Sequence, residues 1–400
     1  MRTKFCFTIG FCWAVFSVCC AEKPLGLTQG PNGTVLLEGK PYRGVGINFF
    51  DCFYRTLQST TNTSYEEGFR VLATNRIPFV RFAGTGFWPR NMQLYQTNRA
   101  EYFRRFDGVV RAAERHNIGL IPSLFWFHAC VPDLVGEPID QWGNPNSKTH
   151  AFMRQYTHEV VSRYRTSPAI WAWEMGNEFN SDTDLPNALE YLPAHNRPAV
   201  SPRDGTPASR TARDYPTHTD LGVAFREFGK AVRQDDPHRL IESGSDFPRT
   251  NAWHFYKEHK FGIGDNPEQR EFMLGLCAPD PMDLISVHCY NDLLGKSGQR
   301  RNAMERLDAI VADSRKLGKP LFVGEFQFPS DFAPDSPEAR THFTAFLAKL
   351  DRLQVPLAAV WVFDLSAQES SRNVTATNRR AWQLKLLRDH NEKLARTSNP

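Results

Sequence analysis

What this 400-residue chain lacks narrows its chemistry before anything it contains. It has no Cys-x-x-Cys pair, which argues against a structural zinc site. No His-Glu-x-x-His run occurs, and the twelve histidines are scattered without ligand spacing, so no catalytic metal is expected. Gly244-Ser245 lacks the flanking pattern of a nucleophile elbow. No glycine-rich phosphate turn follows the first strand-like run, which argues against an open doubly wound sheet; no cofactor is expected. The net charge is only +4, of which Arg2 and Lys4 supply two, so neither nucleic acid nor an acidic membrane surface is indicated as a partner. Beyond the first twenty or so residues no apolar run is long enough to span a bilayer.

What is present is a folding composition, with 41% hydrophobic, 23% charged and a generous 12% aromatic residues. Arg2 and Lys4 precede an apolar run ending at small residues, which reads as a signal peptide over 1–21 and export to the outside or the periplasm. Residues 22–400 are then one catalytic domain. Four of the eight cysteines lie in that leader; Cys52, Cys130, Cys277 and Cys289 remain, enough for up to two disulfides. Asn32, Asn62 and Asn373 begin glycosylation sequons.

After a small hairpin near residues 33–41 a rhythm begins. Short β-rich runs fall at 43–50, 79–83, 119–127, 170–175, 240–245, 283–290, 320–326 and 357–363. Helical periodicity shows between them at 65–76, 101–116, 150–165, 221–234, 302–317 and 337–353, and again at 381–394. Eight alternating units with mostly apolar strands predict a parallel sheet buried on both sides and closed as a (β/α)₈ TIM barrel. Two connections, 179–219 and 247–281, are long and follow strand C-termini, the catalytic side of such a barrel. The segment 192–207, with its prolines and alanines, reads as functional or disordered.

Polar residues at the C-terminal ends of barrel strands are placed to do chemistry. The fourth run ends Trp171-Ala-Trp-Glu-Met-Gly-Asn-Glu178, and the seventh ends Leu321-Phe-Val-Gly-Glu325. Strands four and seven are nearly opposite around an eight-strand ring, so Glu178 and Glu325 can converge as the carboxyl pair that glycoside hydrolysis requires. Glu174 lies one layer deeper on the same strand face, which makes it a buried network carboxylate rather than a catalyst. Trp171 and Trp173 read as packing. Trp88, Trp126, Trp142 and Trp253 fall just beyond strands or in long loops, where they either stack on sugar or staple loops.

Through Trp-Glu-Met-Gly-Asn177-Glu178 and Val-Gly-Glu325-Phe, the sequence resembles glycoside hydrolase family 5 and its clan of retaining (β/α)₈ enzymes over nearly all of the chain after the leader. That resemblance implies Glu178 as general acid/base and Glu325 as nucleophile, with Asn177 bonding the sugar 2-hydroxyl. It implies Arg81 paired with Glu325, His288 and Tyr290 serving the two carboxylates, and Trp361 as an aromatic floor. Asn48 and His128 look similar to further subsite residues. The expected carboxyl separation is about 5–5.5 Å, as in retaining enzymes. The Trp-Glu-Met-Gly-Asn-Glu phrase and the Gly39-Lys-Pro-Tyr-Arg lead-in look most like β-mannanases, although Phe179 stands where those enzymes carry Pro. The expected activity is hydrolysis of a β-linked polysaccharide or oligosaccharide by a monomer, mannan ranked first. A β-glucan-cleaving enzyme, a transglycosylase or a catalytically silent carbohydrate-binding barrel are the alternatives.

Overall fold

The computed structural model describes residues 24–398 apart from 182, 186–197, 261 and 293–302. The expected leader lies outside the described residues, as does the first part of the segment at 192–207. A three-stranded antiparallel sheet comes first: β1 (Leu27–Gln29), β2 (Val35–Leu37) and β3 (Lys40–Pro41). The eight barrel strands follow: β4 (Gly44–Asn48), β5 (Phe79–Ala83), β6 (Gly119–Phe125), β7 (Ala172–Gly176), β8 (Leu240–Glu242), β9 (Ile285–Tyr290), β10 (Leu321–Gln327) and β11 (Leu357–Val360). They form one parallel sheet in the order β8-β7-β6-β5-β4-β11-β10-β9. The amides of Asp283 and Leu284 donate to the Ile241 carbonyl at 2.9 and 3.1 Å, which draws β9 against β8 and nearly closes the ring. The protein is a TIM barrel, as its strand–helix rhythm predicts.

Period-2 alternation sorts each barrel strand into outward and inward residues. Outward Val80, Phe82, Leu124, Trp173, Ile241, Val287 and Cys289 join the large core beneath the helices. The first inward tier is apolar: Phe79, Ile121, Ala172, Leu240, Leu284, Phe322 and Leu357 form a separate cluster with Leu27 and Val35. The N-terminal sheet therefore plugs the bottom of the barrel. Two residues further along, the interior turns polar on six of the eight strands, with Asn48, Arg81, Ser123, Glu174, Glu242 and Ser286 all buried. Strand register places Ser123 beside Glu174 and Glu174 beside Glu242. The functional face lies one step higher, at the strand ends.

Helix starts follow the local chemistry. Pro337–Leu353, for example, opens with Ser336 accepting a hydrogen bond from the Ala339 amide, with Pro in the first turn. The connection at 247–281 is not a structureless loop: it carries helices Ala252–Glu258 and Pro267–Leu276. The second opens with an Asn266/Gln269 capping box, a signal present in the sequence. Cys52, Cys130, Cys277 and Cys289 are all buried and unpaired, so neither of the two disulfides that their number allows is formed. Asn373 is buried and accepts from the Leu365 amide at 2.8 Å, which removes it as a glycosylation candidate.

Candidate active site

The strand ends deliver most of the expected residues to one place. Arg81, fully buried, is the hub. Its Nη1 donates to Glu325 Oε1 at 2.8 Å and to Asn48 Oδ1 at 3.0 Å, and its Nη2 donates to Asn177 Oδ1 at 2.9 Å. Its Nε donates to Glu174 Oε2 at 2.6 Å, so Glu174 is the network carboxylate its depth implies. The guanidinium also lies under the Trp126 ring, 4.4 Å from its centroid. A planar fork suits four directions at once in a way an ammonium does not.

A β-bulge aims Glu325. Val323 pairs with Val287 but Glu325 pairs with His288, so one extra residue enters β10 between them. Bulges of this kind recur beside active sites because they redirect a side chain. Glu325 Oε2 accepts from the Tyr290 hydroxyl at 2.6 Å. Burial pushes the Glu325 carboxyl above its ordinary value, and proximity to Glu178 adds to this; His288, Arg81 and the Tyr290 hydrogen bond oppose it. Desolvation outweighs the lowering pull of His288 and Arg81. Tyr290 remains a donor throughout, since burial and the neighbouring Glu325 push its phenol far upward.

Glu178 sits just past β7 with φ of 54°, a left-handed conformation that costs a non-glycine residue energy and clusters at functional sites. The turn is held by the Glu178 amide donating to the Gly244 carbonyl at 2.8 Å. Gly244 itself has φ of 71°, and a side chain there would start 1.8 Å from the Gly176 carbonyl oxygen, so only glycine fits. Glu178 Oε1 lies 2.7 Å from His288 Nδ1, the donor depending on the tautomer. Burial drives His288 downward, toward the neutral imidazole. One carboxyl oxygen each of Glu178 and Glu325, with a ring nitrogen of His288, lie within 4.8 Å of one another. The two carboxylates differ in access: the Glu325 side chain is 6% exposed and that of Glu178 34%.

Trp361 follows β11, half-buried, with its ring stacked on Trp126 at 5.8 Å and its Nε1 donating to Gln368 Oε1 at 2.8 Å. Two expected subsite residues are placed differently. Asn48 is wholly buried, donating to the Gly324 and Val360 carbonyls at 2.9 and 3.3 Å; it braces Arg81 and the β10 bulge from below instead of facing a ligand. His128 stands in the loop after β6, edge-on to Phe127 and Phe179, and its carbonyl accepts from buried Trp142 Nε1 at 2.8 Å. Trp142 is thus a loop staple.

The sequence reading missed Glu242. Its carboxyl is fully buried in the tier beneath the site, facing Glu174 and Ser286. Burial first, then the charge of Glu174, push it well above its ordinary value, so it is held neutral. Its signal was the two-residue step from Leu240, the same step that links Phe79 to Arg81 and Ala172 to Glu174.

Mannan endo-1,4-beta-mannosidase F of Aspergillus clavatus is 28% identical over 160 residues, 36% of this chain and 36% of that protein. The protein of the same name from Aspergillus fumigatus is 40% identical over 186 residues, 42% of this chain and 38% of that one. The chain spans little more than a third of the length of these curated relatives. Among solved structures, the endo-1,4-beta-mannanase of Rhizomucor miehei superimposes with a TM-score of 0.64 at 14% identity, over 93% of this chain and 100% of that one, which shows the shared fold. The cellulase family, glycosyl hydrolase family 5, matches residues 38–351, and this chain belongs to it.

Proposed function

We propose that the protein is a retaining β-glycoside hydrolase that cleaves β-1,4-linked mannan, with Glu325 as nucleophile and Glu178 as general acid/base. The observation that carries this reading is the pair itself: two carboxyl groups from nearly opposite strands, one oxygen of each within 4.8 Å of the other. So close an approach fits the roughly 5–5.5 Å carboxyl separation of retaining enzymes better than the roughly 6.5–9.5 Å of inverting ones. Access supports the roles. Glu178, a third exposed, can meet both the leaving oxygen and incoming water, while Glu325 is almost fully buried.

In the first step the Glu325 carboxylate attacks the anomeric carbon as Glu178 gives its proton to the departing oxygen. In the second, Glu178 takes a proton from water, whose oxygen displaces Glu325. Arg81 and Tyr290 bind one Glu325 oxygen each, which favours the ionised form against burial and fixes its aim. Neutral His288 supports Glu178 in both protonation states, because its Nδ1 accepts in one tautomer and donates in the other. Trp361 offers an aromatic face beside the pair. The mannan preference is supported by the mannosidase names of the relatives and by the motif and lead-in wording of the sequence. The leader-like residues 1–21 support export, and no helix among the described residues is long and apolar enough to cross a membrane. Reducing-sugar release from mannan, glucomannan, cellulose and xylan, with Glu325→Ala as control, tests the proposal. Release strongest on mannan and lost in the variant is expected; a folded protein silent on all four would overturn it.

A further inference from the structure

The hydroxyl of Tyr290 aims Glu325, and the ring behind that hydroxyl carries a cation. The guanidinium of Arg372, from the loop after β11, lies over the Tyr290 ring with its central carbon 4.4 Å from the centroid. Two other loops hold the same guanidinium. Its Nη2 pairs with Asp292 just past β9, and Asp292 Oδ1 in turn accepts from the Ser330 amide at 2.8 Å. Its Nη1 donates to the Phe328 carbonyl just past β10 at 3.4 Å. Loops following three neighbouring strands therefore meet at one cation.

The loop that carries Arg372 has little regular structure beyond one short turn, Ser366–Gln368, yet it is fixed at many points. Buried Arg380 donates to the carbonyls of Glu369, Ser370 and Ser371 at 2.9, 3.3 and 2.8 Å. The Gln368 carbonyl accepts from the Arg372 amide at 2.8 Å, while the Gln368 side chain accepts from Trp361 Nε1 at 2.8 Å. One turn thus sets both Trp361 and Arg372. Loops held this firmly by a scaffold are where functional side chains concentrate. The charge acts in a definite direction. A cation over a phenol is attracted to the ring face and makes the O–H a better donor. Burial, Glu325 and Glu178 all push Tyr290 upward, and Arg372 pulls it back. A better donor favours the ionised form of Glu325.

We infer that Arg372 is a positioning residue for the hydrolysis: it seats the Tyr290 ring, strengthens the bond its hydroxyl gives to Glu325, and so acts on the nucleophile through Tyr290. The inference rests on the hydrolase reading and deepens it. The titratable and charged groups facing Glu325 are Arg81 from β5, Glu178 past β7, and His288 and Tyr290 from β9; those facing Arg372 are Asp292 and Arg380. The test is kcat/KM against pH on a linear β-1,4-manno-oligosaccharide for wild type, Arg372→Met, Tyr290→Phe and the double variant. Met keeps a long side chain over the ring and removes the charge. Arg372→Met should move the acidic limb to higher pH by about half a unit, a fraction of the loss expected when the hydroxyl itself is removed. In the Tyr290→Phe background the same change should add no further shift. Arg372→Lys, which keeps a cation, should recover most of the displacement. An unmoved limb, with activity lower by the same factor at every pH, would reduce Arg372 to a loop fastener and overturn the role. So would an equal shift in both backgrounds, which means a direct field on Glu325, or a Lys variant displaced as far as Met. A wild type inactive on the oligosaccharide would instead sink the hydrolase reading, and the positioning role with it.

Discussion

Replacing Tyr290 by Phe removes one hydrogen bond to Glu325 and almost no volume, which makes it a sharp probe of how the nucleophile is kept ionised. The Tyr290 hydroxyl donates to Glu325 Oε2 at 2.6 Å, and the ring lies beneath Arg372, 4.4 Å from its guanidinium carbon, a contact Phe keeps. Hydrogen bonds to charged groups contribute about 1.5–3 kcal/mol, and one pKa unit corresponds to about 1.36 kcal/mol. The lost bond favoured the ionised carboxylate, and burial already pushes Glu325 upward, so its pKa should rise further, by about one to two units. The acidic limb of kcat/KM against pH reports the free-enzyme group that must be ionised. In Tyr290→Phe that limb should therefore move to higher pH by about one to two units, with activity in mildly acidic buffer lost first. An acidic limb that stays in place, or moves to lower pH, would refute the reasoning.

Arg81→Met should destabilise the fold by about 3–5 kcal/mol, because Glu174 and Glu325 lose their buried counter-charge; a urea midpoint close to wild type would contradict this. Glu242→Gln should leave kcat/KM and stability nearly unchanged, within about 0.5 kcal/mol, since an amide replaces a carboxyl already held neutral by burial. A tenfold activity loss would show that Glu242 is ionised in the working enzyme. Glu178→Gln should lose roughly 10²–10⁴-fold on unactivated glycans but far less of the first step with an aryl leaving group that departs unprotonated. Equal losses on both would remove Glu178 from the acid role. Finally, Cys52, Cys130, Cys277 and Cys289 should react with an alkylating reagent without added reductant, and only after denaturation; peptide mapping that finds any pair bridged would contradict the free-thiol assignment.

The barrel was legible because parallel strands buried on both faces read as continuous apolar runs, and eight of them alternate with amphipathic helices. Glu178, Glu325, Arg81, His288 and Tyr290 were legible because each lies in or just past the C-terminal part of a strand, and the structure brings all five together. Depth was harder to read. Asn48 and Arg81 are register partners, but Asn48 is wholly buried because its amide bonds the Gly324 and Val360 carbonyls of the neighbouring strands. The upward push on Glu325 was hidden for a related reason: a sequence shows the neighbouring Arg81 but not how completely the carboxyl is desolvated. The long connection after β7 left no periodic trace, since turns and ion pairs such as Arg210–Asp133 hold it, and partners so far apart in the chain carry no local pattern.

The central claim is double displacement by Glu325 and Glu178, and the anomeric form of the first product tests it most directly. Proton NMR of a manno-oligosaccharide digest, taken before mutarotation, should show the new reducing end as the β-anomer, with no product from Glu325→Ala. Fresh α-anomer, or unchanged β-product formation by Glu325→Ala, would contradict the account.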